Sequence, residues 1–227
     1  EATLSEKDGL AYWQGTAPAG APTGIDPLEA LRLSAAHLKS PKIAGLPPLT
    51  GGLVGFMGYD VVRRLERLPD LTTKDIPLPE LSFMLTSDLA VLDHSDGTIT
   101  LIANAINWDG SDDRIDEAYE SCVQRLDRMQ ADLSTPLSGE AAEIPDFSLP
   151  DYVGNISGEQ FKENILKVKE EILAGEAFQV VLSQRFAMPC QADAIDVYRM
   201  LRLNNPSPYM YLFRFTDGIE IVGSSPE

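Results

Sequence analysis

Basic residues are scarce in this chain of 227 residues, which carries 18 lysines and arginines against 35 acidic residues. The formal net charge of −17 repels nucleic-acid phosphates and anionic membrane surfaces, so it argues against both as partners. An anionic small molecule would need a local positive group or a metal ion in order to bind such a chain.

Cysteines and long apolar runs are also scarce. Cys122 and Cys190 lie far apart in sequence and indicate neither a disulfide framework nor a pair of metal ligands, so a reduced, cytoplasmic setting is expected. No apolar run is long enough to span a membrane, and no signal-peptide pattern is present. The chain starts without Met and stops directly after Ser-Pro-Glu, so we expect both ends to be cuts through a longer protein.

What the chain does contain is typical of a globular protein with a substantial core, with 44% hydrophobic residues. Turn signals predict hairpins between strands 81–92 and 98–105, and between strands 209–215 and 219–223. Capping patterns and apolar periodicity predict helices, which begin at Asp26, Asp112, Ser157 and Asp193. Strand pairs joined by hairpins, with helices between them, indicate an α+β fold with antiparallel sheets.

A linker is predicted at residues 134–150, which are rich in Pro, Ser, Gly and Ala with acidic residues among them. It suggests two domains, covering residues 1–147 and 148–227.

The glycine-rich stretch GGLVGFMGYD at residues 51–60 allows two interpretations. A phosphate-binding loop is disfavoured, because no Lys-Ser/Thr follows the last glycine and the spacing fits neither nucleotide fingerprint. A buried strand whose glycines allow close backbone approach is favoured. Residues 61–68 then read as a short helix, with Arg63, Arg64 and Arg67 pointing outward as a solvated face.

The run FQVVLSQRF at residues 178–186 predicts a buried strand, interrupted near its start by the polar Gln179. A buried amide is costly unless it is hydrogen-bonded, so Gln179 is either satisfied by the fold or directed at a ligand. A second strand end, GSSPE at residues 223–227, opens into a loop that carries the carboxylate of Glu227. An amide and an acid in these positions are plausible parts of one site.

These motifs, together with NPSPYM at residues 205–210 and RRLERLP at residues 63–69, resemble those of the chorismate-utilising enzymes. The resemblance covers nearly all of the chain and is closest to the anthranilate-forming branch. It implies a core made of two antiparallel sheets with flanking helices. Residues 1–147 would then be an N-terminal domain of that branch, and residues 148–227 the beginning of its chorismate-binding domain.

The family chemistry that the resemblance implies gives roles to Glu227 and Gln179. Chorismate must lose its C4 hydroxyl while a nucleophile adds at C2, and the family's general acid matches Glu227. Members that activate water carry Lys at the position of Gln179. A Gln there cannot act as a base, which favours ammonia as the nucleophile.

Two ammonia-using branches remain open, one making anthranilate for tryptophan biosynthesis and one making aminodeoxychorismate for 4-aminobenzoate and folate. The segment Pro208-Tyr209-Met210 resembles the family's site for tryptophan as a feedback inhibitor, which favours the first branch. The family also implies Mg²⁺ and a glutamine amidotransferase subunit that supplies ammonia. The Mg²⁺ ligands are expected after Glu227, so we expect the chain to be inactive alone. A regulatory and docking module without catalysis is the remaining alternative.

Overall fold

The computed structural model of the chain describes residues 2–137 and 151–226. The described residues divide into two compact units, the first holding residues 2–137 and 211–221 and the second residues 151–210 and 222–226. The predicted domain boundary at residues 147 and 148 lies outside the described residues and stays a prediction.

The first unit is built on an antiparallel sheet of four strands in the order β2-β1-β4-β3. Its strands are β1 (Ala2–Lys7), β2 (Leu10–Gly15), β3 (Gly52–Met57) and β4 (Leu81–Thr86). Leu4 at the centre of β1 faces Trp13 on one side and Phe83 on the other. Because β1 and β4 are the inner strands, their side chains Leu4 and Leu81 are completely buried.

Helix α1 (Pro27–His37) covers this sheet and begins as its sequence predicts. The Asp26 carboxylate caps the first turn by accepting a hydrogen bond from the Glu29 N–H at 3.0 Å, and proline occupies the first helical position. Ala30 of α1 is completely buried and packs into a core cluster with Leu4 and Ala11.

Gly55 confirms the prediction that a glycine allows close strand approach in this region. It pairs with Phe83 across the β3–β4 ladder. A Cβ atom at this position would lie 1.9 Å from the carbonyl oxygen of Ser82, so no side chain fits there.

The single strand predicted over residues 81–92 is wrong, because the chain changes sheets at Ser87. After β4, strand β5 (Asp88–Asp93) pairs with β6 (Thr98–Ala103) as a separate antiparallel hairpin. The Asn104 side chain stabilises the bend by donating to the carbonyl oxygens of Ser87 at 2.9 Å and Thr50 at 2.6 Å. The predicted turn between the hairpin strands is confirmed, with Gly97 at a φ of 74°. Helix α2 (Ile115–Ser134) packs against β6.

The basic residues after β3 are only partly a solvated face, contrary to the prediction for Arg64. A 3₁₀ helix spans Tyr59–Arg64. Arg64 donates to Glu80 at 2.7 Å and to Asp26 at 2.5 Å, and its side chain is only 19% exposed. Arg64 therefore connects the cap of α1 to the residue that precedes β4. Arg67 is exposed, as predicted.

The second unit contains helices α3 (Gly158–Ala174) and α4 (Ala194–Asn204) and the short strands β7 (Val153–Gly154) and β8 (Phe186–Ala187). The predicted cap of α3 is confirmed, since the Ser157 hydroxyl accepts from the Gln160 N–H at 3.1 Å. Gly175 ends this helix in the left-handed conformation, with a φ of 84°.

Strands β9 (Tyr209–Arg214) and β10 (Glu220–Ser225) form the second predicted hairpin, with Gly218 in its turn. Together with the mixed order of helices and antiparallel pairs, this hairpin confirms the α+β fold. None of the helices in the described ranges has an apolar stretch long enough to cross a lipid bilayer.

Candidate active site

The buried strand predicted over residues 178–186 is not formed. Of these residues only Phe186 is in a strand, and the side chains of Phe178 and Val181 are 93% and 83% exposed. A strand exists only where a neighbouring backbone supplies hydrogen-bonding partners. Among the described residues, Val153–Gly154 supplies them for Phe186–Ala187 alone. The sequence carries the β-forming composition, but the pairing partner decides whether a strand forms.

Gln179 lies in this irregular segment, shortly after Gly175 ends helix α3. Its side chain is exposed and has no hydrogen-bond partner within the part of the chain that the structure describes. Of the two alternatives predicted for this amide, satisfaction by the fold is therefore not found among the described residues. Its assigned role beside the substrate remains a prediction, since an exposed amide keeps both its donor and acceptor groups available for a ligand.

The C-terminal end of the same segment is firmly held. The Gln184 side chain donates to the Ile156 carbonyl at 3.1 Å, and the Asn155 N–H donates to the Arg185 carbonyl at 3.0 Å. The Asn155 side chain in turn accepts from the Arg185 N–H at 3.0 Å. Residues 184–187 are thus attached to residues 153–156, while residues 178–183 lack regular secondary structure.

The segment Asn205-Pro206-Ser207-Pro208-Tyr209-Met210 connects helix α4 to strand β9. The helix ends at Asn204 and is capped by Asn205, and the two prolines fix the backbone φ angles that turn the chain into the strand. The Ser207 hydroxyl donates to the Tyr209 carbonyl at 3.0 Å. Tyr209 is 60% exposed, and Met210 beside it is half-buried. The predicted inhibitor contacts therefore sit on a turn of defined geometry with an accessible aromatic ring.

A hydrogen bond brings two of the three sequence motifs together in the second unit. The Ser224 hydroxyl, near the end of β10, donates to the Asn205 carbonyl at 2.6 Å. The NPSPYM and GSSPE motifs thus meet although 19 positions separate the bonded residues. In the sequence Ser224 stands out only as a part of its motif, and its position where a strand opens into a loop is the signal of this contact. Glu227, the predicted acid, lies outside the described residues.

The residues of the candidate site do not fit a magnesium ion by themselves. Within residues 2–137 and 151–226, no three His, Cys, Asp or Glu side chains converge so that they could hold a metal. Arg185 is the one charged residue among residues 178–187, 205–210 and 223–226. This set of hydroxyl, amide, aromatic and thioether groups can orient a ligand by hydrogen bonds and packing. It does not itself offer a group that transfers protons near neutral pH.

The fold and these motifs define a class of protein. A family model described as "chorismate binding enzyme" matches residues 10–227, and the chain belongs to that family. The match extends across both units of the structure.

Individual members of this family show high sequence identity to the chain. Over 99% of its length, the chain is 52% identical to anthranilate synthase component 1 of Mycolicibacterium smegmatis, and it covers 44% of that protein. It is 44% identical to the protein of the same name from Arthrobacter globiformis, again covering 44% of it. The crystal structure of anthranilate synthase component I from Streptococcus pneumoniae matches all of the chain with a TM-score of 0.77 at 27% identity. The chain covers 48% of that structure and so spans about half the length of these relatives.

Proposed function

We propose that this chain is part of the large subunit of an anthranilate synthase. Such an enzyme converts chorismate and ammonia into anthranilate and pyruvate at the start of tryptophan biosynthesis. The observation that carries the proposal is the 52% identity to an anthranilate synthase component 1, which extends over both units of the structure. The hydrogen bond between Ser224 and Asn205 supports it, because it places two family motifs side by side.

In the proposed reaction Glu227 is the general acid. Its proton goes to the C4 hydroxyl of chorismate, so that the oxygen leaves as water while the lone pair of ammonia forms the new bond at C2. Hydroxide is a poor leaving group, and general acid catalysis of such a step contributes about 10²–10⁴ in rate. Elimination of pyruvate from the aminated ring then gives anthranilate.

Gln179 determines the choice of nucleophile in this proposal. A primary amide is not basic enough to take a proton from water near neutral pH, whereas neutral ammonia needs no such activation. Gln179 therefore acts as a positioning residue that offers hydrogen bonds to the substrate, and it disfavours hydration of the ring because a Gln at this position cannot activate water.

The cofactor and partners belong to the same proposal. Mg²⁺ would be held by carboxylates outside the described residues, which suits the preference of this ion for oxygen ligands. A glutamine amidotransferase subunit would supply the ammonia. Tryptophan would bind as a feedback inhibitor at Pro208, Tyr209 and Met210, where an exposed aromatic ring and a thioether can pack against an indole.

The activity is tested with the complete gene product that carries this chain, supplied with chorismate, Mg²⁺ and ammonium. Anthranilate is followed by its fluorescence and pyruvate by coupled oxidation of NADH. We expect anthranilate to form, and we expect Glu227→Gln to lower kcat by about 10² or more because the leaving hydroxyl loses its proton donor.

The matched control for Glu227→Gln is Glu220→Gln at the start of strand β10, where the carboxylate pairs with Arg214 at 2.7 Å and is exposed. A wild-type rate in the Glu227 variant would contradict the proposed acid. Release of aminodeoxychorismate without pyruvate would move the protein to the 4-aminobenzoate branch. Failure of the complete protein to consume chorismate would leave only a regulatory or docking role.

Inhibitor binding is tested separately with Tyr209→Ala. Loss of the exposed ring should raise the tryptophan concentration that gives half-inhibition by about tenfold, each variant being compared with its own uninhibited rate. Tyr59→Ala provides the control, because Tyr59 is 89% exposed and lies on the 3₁₀ helix of the first unit. Equal inhibition of both variants would remove Tyr209 from the tryptophan site.

A further inference from the structure

Helix α2 presents an apolar row that its own unit does not cover. Ile115, Tyr119 and Val123 recur at every fourth position and therefore neighbour one another along the helix surface. Their exposures of 59%, 70% and 38% contrast with the 8% of Cys122, which is the buried residue of this helix. The packing of α2 on β6 thus leaves the row of Ile115, Tyr119 and Val123 largely uncovered.

The exposed row forms one wall of a groove with a volume of about 880 Å³. The other wall comes from residues 103–109 and includes Ile106 and Trp108. The Trp108 ring stacks on His37 with a centroid distance of 4.6 Å, and it meets Trp13 edge-on at 6.3 Å. This aromatic wall is therefore held in place by its own packing, so the groove is already formed in the free unit. We call it the α2 groove.

One flank of the α2 groove is acidic. Asp116, Glu120 and Asp127 lie on the helix row next to the apolar row, as their sequence spacing requires. Within residues 2–137 and 151–226 these three carboxylates have no ion pair or hydrogen-bond donor. Two arginines of this region, Arg114 and Arg125, are paired with other carboxylates. Arg128 follows Asp127 in the sequence, so among the described residues of this flank a single unpaired arginine stands against three carboxylates, and the flank keeps a net negative charge.

We propose that the α2 groove docks an amphipathic helix of a partner protein, one whose apolar ridge is flanked by lysines and arginines. Apolar anchors of such a helix would fill the groove, and its basic flank would meet the row of Asp116, Glu120 and Asp127. A second copy of this chain is a poor occupant, because a self-contact through α2 would bring two acidic rows together. The proposal does not rest on the proposed function, since none of the chorismate motifs lies in the groove.

The test uses the complete protein and two labelled helical peptides with the same leucine ridge, one flanked by Lys and Arg and the other by Glu. Binding is measured by fluorescence anisotropy. We expect the basic peptide to bind and the acidic peptide to bind at least tenfold more weakly. Tyr119→Ala should weaken the basic peptide about tenfold, because the central aromatic anchor is lost. Leu173→Ala on α3, where the side chain is 87% exposed, should leave binding unchanged.

Charge reversal provides the second readout. The double variant Asp116→Lys with Glu120→Lys should reverse the preference, so that the acidic peptide binds more tightly than the basic one. A higher salt concentration should weaken binding of the basic peptide to the wild type and of the acidic peptide to the double variant. Equal binding of the two peptides would show unspecific apolar adhesion and would overturn the proposal. So would an absence of binding, an unchanged affinity in Tyr119→Ala, or a Tyr119-dependent dimer of the protein itself.

Discussion

The replacement Gly55→Ala tests the packing of the first unit most directly. Gly55 lies on β3, one of the two edge strands of the sheet, opposite Phe83 of β4. The added Cβ would meet the Ser82 carbonyl oxygen at 1.9 Å and the Phe83 Cα at 2.7 Å, far below ordinary contact distances of 3.4 Å or more. The obstacles are backbone atoms, so no side-chain rotation relieves the overlap.

Relief requires β3 to move away from β4 by roughly 1.5 Å, which stretches ladder hydrogen bonds beyond their working range. Two lost bonds at about 1 kcal/mol each, with about 1–3 kcal/mol for overpacking, give a loss of about 3–5 kcal/mol in local stability. Hydrogen exchange of the β3 and β4 amides, followed by mass spectrometry, measures this free energy. Urea unfolding of the same variant checks the loss independently.

Gly158→Ala is the matched control, because it lies in the first turn of α3 with no atom within 4 Å of the new methyl group. That change should be neutral or should stabilise by about 0.5–1 kcal/mol. The reasoning would be refuted if the β3 and β4 amides of Gly55→Ala kept an exchange free energy within about 1 kcal/mol of the wild-type value. That result would mean that the two strands can separate without cost.

Two further predictions concern the ion pairs near α1. Arg64→Met should lower the free energy of unfolding by about 2 kcal/mol, because the largely buried Glu80 carboxylate loses its main partner. The control Arg67→Met, at an exposed position, should change this free energy by less than about 0.5 kcal/mol. Equal losses for the two variants in urea melts would contradict this prediction. Burial alone would raise the pKa of Asp26, but hydrogen bonds from α1 N–H groups and from Arg64 hold this pKa below its usual value. The stability contributed by Asp26 is therefore fully present above the ordinary Asp pKa of about 3.9 and is lost as the pH falls through its lower folded pKa. Urea melts between pH 2 and pH 6 should show a shallower acid dependence in Asp26→Asn, and an unchanged dependence would assign the effect to other carboxylates.

The candidate site shows how far sequence motifs reach. The NPSPYM and GSSPE motifs identify the family by their residue types and order, and the prolines and the serine cap already predict the local turn and helix. Their meeting through Ser224 and Asn205 is a tertiary contact within the second unit, between residues that lie 19 positions apart in the chain. No spacing rule in the sequence predicts that hydrogen bond.

Features that depend on neighbouring residues were determined by the sequence alone. Asp26 and Ser157 cap their helices, Gly175 ends α3, and both hairpin turns form where the glycines stand, because these interactions span only a few positions.

Features that depend on distant residues were decided only by the tertiary structure. The chain leaves its sheet at Ser87, where Asn104 satisfies the bend, and Arg64 turns inward because Asp26 and Glu80 converge on it. Residues 178–185 stay irregular for the same kind of reason. Their side chains favour a strand, but strand formation needs a partner backbone, and in the described part of the chain that partner reaches only Phe186 and Ala187.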